Sequence, residues 1–485
     1  MAIPAQGRSR ADITADLDAF KSKDLAWRSG RVFGYTYDAG AEVEQIGKEA
    51  YVSYLTENGL DPTVFPSLLR LETEIIGMVA ANVGNPNAVG HFTTGGTESI
   101  MLAVKSARDH ARYRRGIAEP RIVVADTAHA AFHKAAAYLD VGKDVVATDA
   151  NFRADPAAMA AAIGPDTAMV VVSAPSYGHG VIDPVEEIAA ICLQRGVLCH
   201  VDACVGGWML PFMARVGWPV PRFGLDVPGV TSISVDLHKY AFCPKGASTV
   251  LYNDPELRKA QIFACAGWTG YTIVNPTVQS SKSGGPLAAA WATLQAIGDA
   301  GYLERARELC DATRALLSGV AEIPGISVLS QPEFCMAALA GEPLRDGGAP
   351  VSVFHVADEM RARGWYVQPQ LGLGGSPPNL HISLQPGNTA AVPGMLASLR
   401  EAVPAAAALP SSGLADTIGA LFADGVPAGF GAEQVDELMA MAGVAGASLP
   451  ARMAGINEVL QALPTVAREA MLVAFFGVLY RRREA

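Results

Sequence analysis

The chain has 485 residues, of which 50% are hydrophobic and 18% are charged, and its formal net charge is −11. This length predicts two or more domains, and the acidic balance argues against a nucleic-acid-binding surface. Seven cysteines without a C-x-x-C pair indicate reduced core residues of a cytoplasmic protein, with neither disulfides nor a zinc site.

Neither end of the chain predicts a membrane span. The first twenty residues, "MAIPAQGRSRADITADLDAF", lack the apolar core of a secretory signal. The apolar stretch 470–480, "AMLVAFFGVLY", is too short to cross a bilayer as a helix. We therefore expect a packed C-terminal helix, with reversible membrane contact as the alternative.

The middle of the chain alternates strand and helix patterns. Apolar, β-branched runs predict strands at 121–126, 144–149, 168–175, 197–204, 231–236 and 248–253. Several runs are apolar throughout, which is typical of strands covered on both faces. Helical patterns lie between them, for example at 97–115 and 183–196. This rhythm predicts an α/β fold with a mostly parallel sheet.

The pattern changes after "SGGPLAAAW". A long helical stretch at 286–320 leads to two strand-like segments, 325–339 and 378–386, which indicate a smaller α+β domain. The stretch 404–413, rich in proline, alanine and serine, predicts a linker to a helical tail. We divide the chain into an N-terminal segment (1–75), a large domain (76–310), a small domain (311–405) and the tail (406–485).

Four motifs lie where strands of the predicted sheet end, which is where open α/β sheets build their sites. Gly95, Gly96 and Thr97 precede a helix and form either a phosphate cradle or an ordinary capped turn. His129 follows one strand, and Asp202 ends another, where an unpaired carboxylate would cost several kcal/mol.

The fourth motif is "SVDLHKYAFCPKG", in which a strand ends in an acid, His238 and Lys239. A phosphate cradle, a flat ring, a buried acid and a lysine are together what pyridoxal 5′-phosphate requires for its phosphate, its ring face, its ring nitrogen and its aldehyde. The sequence therefore predicts this cofactor, and no residue pattern calls for a metal.

Eight stretches in order carry a resemblance to a known family: "SGRVFGYTY", "FPSLLRLETEI", "TTGGTESIMLA", "AHAAFHKAAAY", "HGVIDPVEEIA", "HVDACVGGWMLPF", "GVTSISVDLHKYAFCPKG" and "SGGPLAAAWATL". The chain resembles the group II decarboxylase family of fold-type-I pyridoxal-phosphate enzymes. The match is dense over about residues 28–330, loose in the small domain and absent from the tail. The family fold implies a seven-stranded, mostly parallel large domain and a homodimer with shared active sites.

The resemblance implies roles for individual residues. Lys239 would be the Schiff-base lysine, Asp202 the partner of the pyridine nitrogen, and His129 the residue stacked on the ring. Gly95, Gly96 and Thr97 would hold the cofactor phosphate, and His238 would contact the cofactor or substrate side. From the segment "SSKSGG", the residues Ser283, Gly284 and Gly285 would approach the partner's cofactor.

Within the family, the chain is similar to lyases that act on phosphorylated long-chain 2-amino-3-hydroxy compounds. Lys245 matches a lysine that binds the substrate phosphate, and Tyr37 matches a tyrosine serving that phosphate from across the dimer. Tyr177 would lie over the site. Lys239, His238 and Tyr177 are all candidates to move protons, and the sequence does not rank them.

One position departs from the lyase pattern. Asp61 stands where those lyases carry a histidine, and an aspartate repels a phosphate by a few kcal/mol at about 4 Å. His91 is a candidate to compensate for it. We therefore expect a carbon–carbon lyase that forms a fatty aldehyde and phosphoethanolamine by a retro-aldol step. A decarboxylase or aldolase acting on a non-phosphorylated amino acid is the alternative.

Overall fold

The computed structural model describes residues 3–409, 413–423, 425–426, 431–441, 443–444 and 450–480. Its main element is a seven-stranded sheet. The strands are β1 (Val89–Thr93), β2 (Arg121–Ala125), β3 (Gly142–Val146), β4 (Thr167–Ser173), β5 (Leu198–Asp202), β6 (Ser232–Asp236) and β7 (Ser248–Tyr252).

The strand order in this sheet is β1-β7-β6-β5-β4-β2-β3. The four pairs from β6 to β3 are parallel, and β7 runs antiparallel to both of its neighbours. The prediction of a mostly parallel seven-stranded sheet is confirmed. Strands β4, β6 and β7 are buried along their whole length, as expected for strands with helices on both faces.

Helices cover the sheet and lead into it. They are α1 (Arg10–Phe20), α2 (Ala41–Ser53), α3 (Pro66–Asn82), α4 (Gly96–Arg115), α5 (Ala131–Leu139), α6 (Pro156–Ala162), α7 (Val185–Arg195), α8 (Leu210–Arg215) and α9 (Pro255–Lys259). Helix α7 ends at Gly196 with a φ of 64°, a left-handed turn that glycine adopts without strain. Three apolar clusters bury the inner faces of α3 to α9 against the sheet, whereas α1 has no buried residue.

A second, smaller sheet follows the long helix α10 (Gly285–Ala321). Two short strands, β8 (Phe263–Cys265) and β9 (Ile273–Asn275), pair before that helix. The second sheet contains β10 (Ile326–Val328), β11 (Met336–Gly341), β12 (Gln368–Gln370) and β13 (Asn379–Ser383), antiparallel in the order β10-β11-β13-β12. Its helices are α11 (Val353–Ala362), α12 (Pro386–Thr389) and α13 (Val392–Ala407).

The described part of the tail is helical and has its own small core. Helices α14 (Leu414–Leu421), α15 (Ala432–Met441), α16 (Ala454–Ala462) and α17 (Thr465–Leu479) pack around an apolar cluster. The predicted linker 404–413 is wrong at its start, because 404–407 complete α13, and residues 410–412 lie outside the described residues. Among the helices that the structure describes, none is both long and apolar enough to cross a membrane.

Candidate functional site

A cavity of about 400 Å³ lies at the carboxyl edge of the parallel strands. Its walls contain eight of the residues that the sequence analysis selected: Gly95, Gly96, Thr97, His129, Tyr177, Asp202, His238 and Lys239. These residues come from five separate segments of the chain, and the ends of β1, β2, β4, β5 and β6 bring them together.

The glycine turn forms the start of α4, and Gly96 lies closer to its neighbours than a residue with a side chain could. A Cβ atom on Gly96 would lie 2.8 Å from both carboxylate oxygens of Asp236 and from Sγ of Cys204. The first N–H groups of a helix have no intrahelical acceptor, and the helix dipole favours an anion there. This turn therefore fits a phosphate group.

Asp202 is the buried acid that the ring nitrogen of the cofactor needs. It ends β5, is 7% exposed and lines the cavity. Its Oδ1 accepts a hydrogen bond of 3.1 Å from the backbone N–H of Cys204 and one of 3.5 Å from Oγ of Ser234. These donors fix the carboxylate in place at the end of the strand.

Lys239 enters the cavity from the turn after β6 and forms an ion pair. Its Nζ lies 2.9 Å from Oδ2 of Asp236, which is 2% exposed. Burial opposes charge on both groups, but their mutual attraction outweighs it, so the pKa of Lys239 is raised and that of Asp236 is lowered. Sequence reasoning gave Asp236 no role, although it stands three residues before Lys239.

Two rings complete the cavity. His129 is held by the backbone N–H of Ala131, which donates to its Nδ1 at 3.1 Å. The hydroxyl of Tyr177 donates to Oε1 of Gln368 at 2.7 Å, and its ring stacks on His381 with centroids 4.2 Å apart. Small-domain residues on β12 and β13 therefore fix Tyr177 over the edge of the large sheet.

The three candidate proton carriers all hold a proton near neutral pH. Burial raises the pKa of Tyr177, and Asp236 raises that of Lys239 against the effect of burial. Burial lowers the pKa of His238, so its ring is neutral; its Nδ1 accepts from the N–H of Ala247 at 3.3 Å, which leaves the proton on Nε2. These side chains are therefore suited to returning a proton to carbon.

A second cavity, of about 390 Å³, shares His238 with the first. Lys245 lies in its wall, with Nζ 4.6 Å from the ring centroid of Tyr37 and 3.3 Å from the backbone oxygen of His238. Desolvation, with Lys239 close by, lowers the pKa of Lys245 to about 8. Among the described residues, Lys245 forms no salt bridge, so a cation without a carboxylate partner adjoins the cofactor cavity.

Tyr37 reaches this cavity within its own chain. Its ring centroid lies 5.1 Å from that of Tyr240, the residue after Lys239, in addition to its contact with Lys245. Within one chain Tyr37 therefore already lies at this cavity, and its predicted role across the dimer stays a prediction. The isolated bridge between Val32 and Tyr366 anchors the preceding segment to the small domain and brings it back over the site.

Two of the predicted substrate residues lie elsewhere. Asp61 is on the surface, where its Oδ1 accepts from the N–H and hydroxyl of Thr63, and it lines neither cavity. His91 lies in β1, 3.2 Å from Glu72 and 3.4 Å from Arg258. Neither residue lines either cavity of its own chain, and the suggestion that His91 compensates for Asp61 at a substrate phosphate stays a prediction.

The segment "SSKSGG" lies at the start of α10 and contacts the N-terminal region. Ser283 donates to the backbone oxygen of Leu55 at 2.7 Å, and the N–H of Gly284 donates to Glu57 at 2.8 Å. Ser283, Gly284 and Gly285 line neither cavity of their own chain. Their approach to a partner's cofactor stays a prediction.

The residues around the first cavity fit pyridoxal phosphate. An open turn at a helix N-terminus, a buried acid, an imidazole ring and a lysine converge on one space. The fold and this donor set together define a fold-type-I pyridoxal-phosphate enzyme.

Comparison with known proteins agrees with this class. Residues 3–338 match the pyridoxal-dependent decarboxylase conserved domain. The chain belongs to this family and, within it, to the sphingosine-1-phosphate lyases. It is 37% identical over 430 residues to the sphingosine-1-phosphate lyase of Arabidopsis thaliana, covering 86% of this chain and 77% of that protein. It is 39% identical to sphingosine-1-phosphate lyase 1 of Rattus norvegicus, over 75% of this chain and 63% of that protein.

Solved structures give the same result. The sphingosine-1-phosphate lyase of Burkholderia pseudomallei superposes with a TM-score of 0.77 at 33% identity, over 84% of this chain and 92% of that one. A glutamate decarboxylase of Lactobacillus brevis, at 18% identity and a TM-score of 0.73, shares the fold. Residues 390–478 match the C-terminal putative HTH domain of pyridoxal-dependent enzymes, in the tail where the sequence analysis found no match.

Proposed function

We propose that the chain cleaves the C2–C3 bond of a phosphorylated long-chain 2-amino-3-hydroxy compound, of the sphingosine 1-phosphate type, to a fatty aldehyde and phosphoethanolamine. The observation that carries the proposal is Lys245, a cation without a carboxylate partner among the described residues, beside the cavity of Lys239. A phosphate is the ligand that such a lysine recognises through charge-assisted hydrogen bonds. The names of the relatives support the same substrate class.

The walls of the second cavity suit an amphiphilic substrate. Trp27, Val43, Phe242 and Pro244 give it apolar surface next to the ammonium of Lys245. The cavity meets the first one at His238, so a phosphate at Lys245 leaves the carbons of a short head group near Lys239. The position of the cation thus selects which end of the substrate enters.

The acid, the glycine turn, the lysine and the tyrosine of the first cavity then each have a task. Bound pyridoxal phosphate supplies a sink for the electron pair of the broken carbon–carbon bond. Asp202 holds the charge at the ring nitrogen, and the α4 turn holds the phosphate. Lys239 and Tyr177 keep protons ready for the carbon that loses its substituent, and the small domain covers the site through Gln368 and His381.

We also propose that the enzyme works as a homodimer in the cytoplasm. Helix α1 has no buried residue, and its apolar residues Ile13, Leu17 and Phe20 are 47%, 53% and 74% exposed along one face. A second copy of the chain would cover this face. All seven cysteines are free thiols, which supports a reducing compartment.

The test is product analysis with dihydrosphingosine phosphate and, in parallel, a panel of amino acids. The proposal predicts a long-chain aldehyde and phosphoethanolamine in equal amounts from the first substrate, and no release of carbon dioxide from the amino acids. Carbon dioxide and an amine from an amino acid, with no cleavage of the phosphorylated substrate, would instead establish the decarboxylase alternative.

A further inference from the structure

Asp236 is a buried carboxylate that the roles described so far leave unused. It is the last residue of β6 and is 2% exposed. Its Oδ2 pairs with Lys239, whereas its Oδ1 has no hydrogen-bond partner among the described residues. Buried polar atoms are nearly always satisfied, so an acid in this condition at a cofactor cavity needs an explanation.

The backbone fixes the acid and the lysine relative to each other. The N–H groups of Leu237 and His238 both donate to the backbone oxygen of Ala247, at 3.0 and 2.9 Å, which locks the turn between the two side chains. On the opposite side, the absence of a side chain on Gly96 leaves the space that the carboxylate occupies. The turn after β6, the segment before β7 and the start of α4 thus together fix the ion pair of Asp236 and Lys239.

Asp236 is also the anion that acts on Lys239. The sulfhydryl of Cys204 and the phenol of Tyr37 face the lysine as well, but burial raises the pKa of both, so they stay neutral. The remaining groups that face Lys239 are cationic or neutral near pH 7, namely Lys245, His238 and Tyr177. Two other carboxylates line the cavity, and each has donors of its own: Oδ1 of Asp202 accepts from Cys204 and Ser234, and the oxygens of Glu98 accept from the N–H groups of Thr94 and Val278.

We propose that Asp236 is a positioning residue for Lys239. It holds the amino group against the cavity wall, and keeps a proton on it, whenever that nitrogen is not bonded to the cofactor. Without the acid, the buried amine has no counter-charge, and burial then favours its neutral, nucleophilic form. The proposal rests on the cofactor assignment and is independent of which substrate the enzyme takes.

The test measures the chemistry of Lys239 in the full chain after removal of the cofactor. An amine-acylating reagent is applied across a pH series, and peptide mass spectrometry gives the labelling rate of Lys239, with exposed Lys23 as the internal reference. Asp236→Asn is expected to move the onset of labelling to lower pH by at least about two units. Asp236→Glu, which keeps a carboxylate, should restore most of the wild-type onset.

A matched control separates this role from general damage. Asp183 is another buried acid at this edge of the sheet, 1% exposed, and it accepts from the N–H groups of Ala154 and Ser173. Asp183→Asn should leave the labelling onset of Lys239 unchanged. An equal shift in both variants would overturn the proposal, as would a wild-type onset in Asp236→Asn.

Cofactor uptake gives an independent readout. At neutral pH the folded Asp236→Asn protein should take up pyridoxal phosphate faster than wild type, followed by absorbance, because its lysine no longer has to lose a stabilised proton. Uptake at the wild-type rate would contradict the proposal. If Asp236→Asn does not fold, Gly96→Ala carries the labelling test, since its Cβ would displace the carboxylate and should also lower the onset.

Discussion

Replacing Lys245 by alanine is the sharpest test of how the substrate is held. The side chain has one backbone contact, to His238, and lies over the ring of Tyr37, so its removal breaks no salt bridge of the described protein. A charge-assisted hydrogen bond to a phosphate contributes about 1.5–3 kcal/mol. Lys245→Ala should therefore lower kcat/KM for dihydrosphingosine phosphate by about ten- to a hundredfold.

The assay compares two substrates and two variants. Dihydrosphingosine, which lacks the phosphate, should react with wild type and Lys245→Ala at nearly equal, low rates. Lys48 lines the same cavity but is already paired with Glu44 at 2.9 Å, so Lys48→Ala should change kcat/KM less than about threefold. Equal losses for both substrates, or for both variants, would refute the assignment of Lys245 to the phosphate.

The remaining predictions concern the lysine, the dimer and stability. Lys239→Ala should lose turnover and the borohydride-fixed cofactor while it still folds, with a lower unfolding temperature because buried Asp236 loses its counter-charge; an adduct on another lysine would reject the assignment. A mixture of the Lys239→Ala and Tyr37→Phe proteins should recover no activity in hybrid dimers, because Tyr37 lies beside the Lys239 site of its own chain. Recovery would place Tyr37 across the dimer. Leu17→Glu with Phe20→Glu should make the protein monomeric in sedimentation; an unchanged dimer would exclude α1 from the interface. Burial lowers the pKa of His200 to about 4, so between about pH 6.5 and 4 only the unfolded chain binds a proton at this residue. The free energy of unfolding should therefore fall by about 1.4 kcal/mol for each unit by which the pH is lowered in this range. In His200→Gln, the free energy of unfolding from urea titrations should depend on pH less steeply by that amount, and the same pH dependence as in wild type would contradict this.

The sheet was largely predictable because parallel strands covered on both faces leave apolar, β-branched runs in the sequence. Strands β2 to β7 fall on the six predicted runs. Strand β1 was missed because it is a short edge strand containing Gly90, whose missing side chain allows close approach to Val250. Strand β12, "QPQ", has a proline and no apolar pattern.

The cofactor cavity was predictable for a different reason. The residues that build it end strands or begin helices, and the topology of an open α/β sheet brings such positions to one edge. Asp236 carried the same signal, as an acid at a strand end before a lysine, but the resemblance to the family had already given the role of the acid to Asp202. Only the distance to Lys239 distinguishes its role from that of Asp202.

Contacts between distant segments could not be predicted from position in the chain. Tyr37 lies beside Lys245 because residues 32 and 366 pair, which no local pattern indicates. Asp61 was selected by alignment with a motif and His91 as a residue that could compensate for it, yet other partners, Thr63 for the first and Glu72 with Arg258 for the second, occupy their side chains. The capping chemistry of Asp61 was the available signal against a binding role.

A crystal structure of the cofactor-loaded enzyme with phosphoethanolamine, the expected polar product, tests the central claim most directly. The account predicts that the phosphate lies within hydrogen-bond distance of Nζ of Lys245, in the cavity lined by Tyr37, with the amine toward Lys239. A phosphate bound elsewhere, with Lys245 still over the ring of Tyr37 and free of ligand, would contradict it.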